Sequence, residues 1–303
     1  MHLEEIKSLI TKKILGEVTL SYPLAPHTSF KIGGEADLFV CPRNLMELLI
    51  VLDILKEHNV PYFLLGAGSN LLISDKGIRG AVIKLGDGFD YAHAKGDYIL
   101  AGAGVSLAKL SAEAKNAELT GLEFASGIPG SLGGAIFMNA GAYGGEMKDV
   151  IDEVSFIDED GTVKTISKNE CDFGYRKSIF SDGRKIILSA KITLKHGDKE
   201  EISKTMRELN KKRKDKQPLE YPSAGSTFRR PEGHFAGALI EAAGLKGKAI
   251  GDAQVSEKHA GFIINKGSAS AKDVLDLISH VQDVVFEKSG VTLEPEVKIT
   301  GEQ

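Results

Sequence analysis

The residues from Gly127 to Gly145, GIPGSLGGAIFMNAGAYGG, constrain this chain more than any other stretch. Seven of these 19 residues are glycine, against 34 in the full 303, and no charged side chain lies between Phe124 and Gly145. Ordering so much glycine costs conformational entropy. Yet the stretch also carries Ile128, Leu132, Ile136, Phe137 and Met138, which favour burial, whereas flexible linkers are polar and poor in large apolar residues. A buried backbone that lets something bulky come close, with amide N–H groups turned toward it, satisfies both facts. A phosphate-bearing cofactor fits that description; a tightly packed turn region is the alternative.

At 303 residues there is room for two or three domains, and 42% hydrophobic with 26% charged content is ordinary for a soluble globular protein. The net charge of −4 argues against broad nucleic-acid binding and against a membrane surface. Cys41 and Cys171 are the only cysteines, too few for a disulfide framework or a metal cluster. The N-terminal MHLEEIKSLITKK lacks the apolar core of a signal peptide, and no apolar run approaches the ~20 residues of a membrane helix. A cytoplasmic protein without bound metal is expected.

Apolar residues at Leu3, Ile6, Leu9, Ile10 and Ile14 predict a helix over 3–15. Pro23 and Pro26 mark an extended entry to short strands around Gly33–Gly34. Leu45, Leu48, Leu52 and Leu55 form a helical face ending near His58–Asn59. YFLL (62–65) and LLIS (71–74) read as strands on either side of Gly66-Ala67-Gly68-Ser69-Asn70. That turn lacks the third glycine of a dinucleotide-binding fingerprint, and Gly77 and Gly80 interrupt any helix after it. It stays open as another phosphate-contacting turn, since Gly66 and Gly68 admit close approach and Ser69 and Asn70 offer hydrogen bonds.

Short strands follow at AVIKL (81–85) and YILAGAG (98–104), then a helix from Val105 to Leu119 with Ser106 as N-cap. Two hairpins are predicted after the glycine stretch. One turns at Asp160-Gly161; the other is centred on Ser181-Asp182-Gly183 and leads into KIILSAKITL. Residues 200–217 form a charged helix with Ile202, Met206 and Leu209 on one face, its basic run either a phosphate-binding cluster or a solvated surface. The last hundred residues read as an α/β unit. Ala236–Ala243 is a helix stopped by Gly244, and 261–265 is a strand. A capping box at Ser270 and Asp273 opens a helix that Gly290 ends, and VTLEPEVKI closes the chain as a strand, at an edge or bulged at Pro295.

Six passages carry a resemblance: LLGAGSNLLISD (64–75), ASGIPGSLGGAIFMNAGAYGGE (125–146), FGYRKSIF (173–180), YPSAGSTFRRP (221–231), GFIIN (261–265) and LEPEVKI (293–299). In this order and spacing they resemble the UDP-N-acetylenolpyruvoylglucosamine reductase family, FAD enzymes of bacterial cell-wall precursor synthesis. The likeness runs from Thr28 to Ile299, and the compact length resembles the family's shorter form, without the extra loop that carries a substrate-contacting tyrosine. The resemblance implies an α+β fold. A two-lobed FAD-binding domain of the vanillyl-alcohol-oxidase (PCMH) type would comprise lobes 1–80 and 81–200, with FAD between them, and 201–303 would form a C-terminal α/β substrate-binding domain.

It further implies that Gly66, Ala67, Gly68, Ser69 and Asn70 bind the cofactor together with Gly127, Ile128, Pro129, Gly130, Ser131, Gly133, Gly134, Ala135, Asn139, Gly141 and Ala142. Backbone amides there can neutralise a pyrophosphate without a lysine. No histidine or cysteine lies in the two glycine turns, so a noncovalent flavin is expected. NADPH would supply hydride to FAD, which would pass it to C3 of the enolpyruvyl group of UDP-N-acetylglucosamine enolpyruvate, giving UDP-N-acetylmuramate once C2 is protonated. Negative charge arising at C2 and the adjacent carboxylate needs cationic or hydrogen-bonding stabilisation.

Three catalytic roles follow from the resemblance. Arg176 meets the substrate carboxylate with its fork of donors, Ser226 gives the proton to C2, and Glu296 assists as a protonated donor or an orienting carboxylate. Without the motifs, Arg176 would read as a surface partner of Asp172 or Glu170, Ser226 as a turn residue, and Glu296 as a solvated charge. Tyr175, Arg229, Lys246, Gln254 and His259 would contact a ribose, uracil or diphosphate, His259 being equally readable as structural. The expected protein is a monomer acting on a small-molecule substrate, without nucleic-acid or membrane partners. Two alternatives stand beside this reading. A flavin oxidase or dehydrogenase of another alcohol would be reoxidised rapidly by air, and a non-enzymatic nucleotide-sugar binder would be colourless.

Overall fold

A computed structural model of the chain describes residues 3–302. In one four-stranded sheet Glu35–Cys41 lies between Glu17–Pro23 and Ile78–Lys84, with Tyr62–Leu65 beyond the latter. The Leu45–Glu57 helix buries Leu48, Val51 and Leu55, and Asn44 caps it by accepting from Glu47 N–H. The first helix spans Leu3–Thr11, shorter than the spacing predicts, although Ile14 beyond its end is still buried. Residues 28–34 form no strand; Phe30 and Ile32 are buried from irregular backbone pinned by the Thr28 hydroxyl, which donates to Ile32 O at 2.9 Å.

The described chain divides into two compact units. The first gathers residues 3–19, Phe39–Ala67 and Val82–Arg213. Its five-stranded antiparallel sheet runs Val163–Ser167, Ile151–Ile157, Ile186–Thr193, Tyr98–Gly102, Ala92–Lys95. Ile186–Thr193 is central and buries Ile186, Ile187, Leu188, Ala190 and Ile192, while Val163–Ser167, at the edge, is mostly exposed. The Leu107–Asn116 and Leu132–Phe137 helices supply Leu107, Leu110, Leu132 and Ile136 to the core under this sheet. Ser106 is the N-cap of the former, its hydroxyl accepting from Lys109 N–H.

The hairpin at Asp160-Gly161 forms; the one centred on Ser181–Gly183 does not. Ile186–Thr193 already pairs with Ile151–Ile157 on one side and Tyr98–Gly102 on the other. A strand before Gly183 would have no free edge to join, so 173–181 is a loop closed by an isolated bridge between Gly174 and Lys177.

The second unit takes Leu20–Leu38, Gly68–Ala81 and the chain from Lys214 onward. Its antiparallel sheet runs Ser223–Ser226, Phe262–Asn265, Ala253–Val255, Ala249–Ile250. The Ala271–Ser289 helix buries Val274, Leu277, Ile278, Val281 and Val285 in the same core. The expected capping box forms at Ser270 and Asp273, and Gly290 ends the helix in the left-handed region at φ 71°. Asp75 adds a second cap from outside, accepting from Ala271 N–H at 2.8 Å and Lys272 N–H at 3.1 Å.

The closing strand is much shorter than VTLEPEVKI. Only Lys298–Thr300 is a strand, paired in parallel with Leu71–Ile73. Pro295, which has no N–H to give a ladder, makes only an isolated bridge with Phe228. Among the described residues no helix is long and apolar enough to cross a membrane.

Candidate active site

In the first unit the two glycine turns converge on one hydroxyl. A Cβ at Gly66 would meet only Ser131 Oγ, at 3.2 Å, and one at Gly134 would meet that same atom at 3.5 Å. Gly66, Ala67, Pro129 and Gly134 are exposed while Ser131, Leu132, Ala135 and Ile136 are buried, so the apolar residues anchor the stretch and its glycine face stays bare. Three backbone bonds fix it: Leu107 N–H to Gly130 O at 3.0 Å, Leu132 N–H to Val105 O at 2.8 Å and Gly133 N–H to Ala103 O at 2.8 Å. Among the described residues no acceptor in the chain takes the amides of Ser131 and Gly134. Unmatched donors beside a face without side chains are what a phosphate-bearing ligand needs.

Asn139 is wholly buried, and its left-handed φ of 45° is tolerable for asparagine. Its Nδ2 donates to Glu146 Oε2 at 2.8 Å and to Gly174 O at 3.0 Å, and its Oδ1 accepts from Lys148 N–H at 2.9 Å. The Asn139 side chain is therefore committed to the fold. Ser178 and Ser181 hydroxyls both donate to Phe137 O, at 2.7 and 2.8 Å, and tie the far end of the same loop. Held between these anchors, Arg176 has φ 54°, an uncommon conformation for a long side chain and one that marks functional loops. Its guanidinium lies 5.2 Å from the centre of the adjacent Tyr175 ring, which is exposed.

The surface pairs open to Arg176 on sequence grounds are made by other groups: Asp172 binds Lys177 at 2.9 Å, and Glu170 accepts from Ser167. Glu146 was invisible to sequence reasoning, because nothing in GGEMK marks it. Its carboxyl is held below the usual range by Lys148 first, against some burial, with Asn139 and the charge of Arg176 adding to the effect.

In the second unit Ser226 and Glu296 come together. Glu296 N–H donates to Thr227 O at 2.8 Å, so the two candidates sit on neighbouring extended segments. The pairing of Ser223–Ser226 with Phe262–Asn265 slips between Ser223 and Ser226, and Gly225 has φ 77° at the slip. Such an irregularity re-aims a side chain, and Ser226 is exposed while Ala224 and Thr227 are buried. Asn70 fixes the other side of Glu296: its Nδ2 donates to Glu296 O at 3.1 Å and its carbonyl accepts from Lys298 N–H at 2.9 Å. Gly68 has φ 64°, and a Cβ there would collide with His27 O, so the turn before Asn70 requires glycine.

Four of the five candidate substrate contacts lie in the second unit. Arg229 donates its N–H to Glu294 O at 2.8 Å, and its charge joins burial in lowering the pKa of Lys298. Lys246 Nζ binds Glu241 at 2.7 Å. His259 is nearby: burial lowers its pKa and the charge of Lys246 acts in the same direction. Its Nδ1 accepts from Gly261 N–H at 3.2 Å and its ring stands edge-on to Phe262 at 4.9 Å, the surroundings of a structural histidine that still has Nε2 to offer. Gln254 donates to Gly247 O at 3.1 Å. Tyr175 belongs to the first unit.

Residues 36–167 match the FAD binding domain family, and residues 217–300 match the C-terminal domain of UDP-N-acetylenolpyruvoylglucosamine reductase. The UDP-N-acetylenolpyruvoylglucosamine reductase of Caldanaerobacter subterraneus subsp. tengcongensis is 52% identical over 301 residues, covering 99% of this chain and 98% of the relative. That of Lachnoclostridium phytofermentans is 50% identical over 305 residues, covering 99% and 97%. The crystal structure of UDP-N-acetylenolpyruvylglucosamine reductase (MurB) from Thermus caldophilus superposes with a TM-score of 0.81 at 39% identity, over 94% of this chain and 98% of that one. The chain carries an FAD-binding domain and belongs to the UDP-N-acetylenolpyruvoylglucosamine reductase family.

Proposed function

We propose that the protein reduces the enolpyruvyl group of UDP-N-acetylglucosamine enolpyruvate to UDP-N-acetylmuramate, with FAD bound noncovalently and NADPH as hydride donor. The observation that supports this reading is the backbone bond from Glu296 N–H to Thr227 O, the residue after Ser226, with Asn70 of the glycine turn bonded to Glu296 O. The residues fit a flavin nucleotide: the bare glycine face at Gly66 and Gly134 admits a large ligand, and the unmatched amides of Ser131 and Gly134 suit its diphosphate. FAD held there would accept hydride from one partner and pass it to another, chemistry that amino-acid side chains do not supply.

The chain's own residues do the rest. Arg176 pairs with the substrate carboxylate, where a planar fork of donors matches two oxygens and offsets charge spreading from C2. Asn139 and the two serines on Phe137 O hold the Arg176 loop, so less ordering is left for the moment of reaction. Ser226 Oγ–H gives the proton to C2; a hydroxyl is a weak acid, and a carbanion-like carbon is basic enough to take its proton. Glu296, fixed through both backbone groups, orients or replenishes that proton. Lys246, His259, Gln254, Arg229 and Tyr175 are assigned to the nucleotide sugar.

In this reading 1–80 and 81–200 are two lobes of a vanillyl-alcohol-oxidase (PCMH) type FAD domain, and 201–303 is the substrate domain. The protein acts as a monomer in the cytoplasm. An anaerobic spectral titration tests the function. Purified protein should show a flavin spectrum that NADPH bleaches and the enolpyruvyl sugar nucleotide restores. A protein that takes up no FAD, or whose reduced flavin ignores that substrate, overturns the reading.

A further inference from the structure

Arg213 stands apart from the basic residues around it. It lies in the last turn of the Lys199–Lys216 helix, where Lys211, Lys212 and Lys214 are exposed and Arg213 is only partly so. Asn210, three residues earlier, shares its helical face. Together they pack on Gly127, the first glycine of the glycine-rich stretch: a Cβ there would collide with Asn210 Oδ1 and lie 3.3 Å from Arg213 Cδ. Asn210 Nδ2 reaches Ser126 Oγ at 3.3 Å, and that hydroxyl donates to Glu123 O at 2.9 Å. The helix is thus fastened to the stretch by neutral groups, which leaves the guanidinium of Arg213 out of the fastening.

Among the described residues no carboxylate lies within 4.0 Å of the Arg213 nitrogens. Burial lowers its pKa from the ordinary arginine value, and only Tyr143, on the hairpin that ends the glycine stretch, opposes that. A cation partly withdrawn from water without a counter-charge is held at a cost that an anionic partner would offset. Here the chain itself provides no such partner among the described residues, and the stem of Arg213 lies against Gly127, at the start of the stretch whose later Gly134 stays open.

We propose that Arg213 is the cationic partner of an anionic group on the flavin nucleotide held at the glycine stretch. That group is either its diphosphate or the pyrimidine end of the ring, which gains negative charge when reduced. The assignment rests on the flavin reading above, and the full-length chain separates the two. Wild type, stripped of flavin, is titrated with FAD and with riboflavin, and the reduction potential of the rebound flavin is measured by dye equilibration. Failure of wild type to bind any flavin removes the flavin reading and this assignment with it.

If wild type binds, Arg213→Met, which keeps an apolar stem without charge, decides the rest. Loss of about 10- to 100-fold in FAD affinity with riboflavin affinity unchanged supports the diphosphate. A more negative potential, restored by Arg213→Lys, supports the ring. Unchanged affinity and potential overturn the proposal, and so does equal weakening of FAD and riboflavin at unchanged potential, which marks a stem that only packs. Arg213→Gln repeats the measurement if the methionine variant does not fold.

Discussion

Arg176 and Asn139 show how much a single residue's surroundings add to its identity. An arginine at φ 54° is strained, and the strain persists because Asn139 and Phe137 O bind the loop on both sides of it. Asn139→Asp keeps the shape but replaces the Nδ2 donor, leaving Gly174 O without it and placing two acids together at Glu146. Its predicted effect is a rise in KM for the enolpyruvyl substrate with flavin affinity within about threefold of wild type. Steady-state kinetics beside a flavin titration check this.

Glu47 tests stability instead. It is 7% exposed. Burial pushes its carboxyl up, but amide N–H groups of Arg43, Leu15 and Gly16 outweigh that and hold it below the usual range. A depressed carboxyl stabilises the fold above the unfolded value and loses that contribution as pH falls through the lower folded value. Glu47→Ala leaves buried amides unmatched and should cost about 1–3 kcal/mol at pH 7 by denaturant unfolding, with a smaller difference in acid. His259 has the opposite chemistry. Its lowered pKa means that the unfolded chain binds its proton more readily, so its share of stability falls as pH drops below about 6.5. His259→Asn should flatten that part of the pH–stability curve.

At the scale of elements, periodicity and capping signals were legible wherever one helix or strand decides its own fate. Ser106, the Ser270–Asp273 box and Gly290 all act where local chemistry puts them. The failures came where tertiary pairing intervenes. Nothing in 173–181 reveals that Ile186–Thr193 has both edges filled, and nothing in VTLEPEVKI reveals that Leu71–Ile73 accepts only its last residues. For the same reason the motifs pointed to Ser226 and Glu296 but not to their backbone juxtaposition, nor to the packing of Arg213 on Gly127, 86 positions away in sequence. Asn70 links the glycine turn to Glu296 through its side chain. Asn70→Ala should therefore slow flavin reoxidation by the substrate about tenfold or more while flavin reduction by NADPH stays near wild type. Stopped-flow absorbance separates those steps.

For the whole molecule, chain order and spatial grouping diverge. The second unit combines Leu20–Leu38 and Gly68–Ala81 with the chain after Lys214, and the Gly66–Asn70 turn divides between Ala67 and Gly68. A ligand bound by the native state alone raises stability by about 2.7 kcal/mol at a hundredfold excess over its Kd. FAD should raise the melting temperature of the stripped chain accordingly, and riboflavin, lacking the diphosphate, should do so less.

The central claim is that Ser226 supplies the proton in the second half-reaction. Its most direct test is anaerobic stopped-flow absorbance of Ser226→Ala, following flavin reduction by NADPH and then reoxidation by the enolpyruvyl sugar nucleotide. The predicted result is reduction at close to the wild-type rate and reoxidation slowed by about 10²- to 10⁴-fold. Equal slowing of both halves, or reoxidation as fast as in wild type, contradicts it.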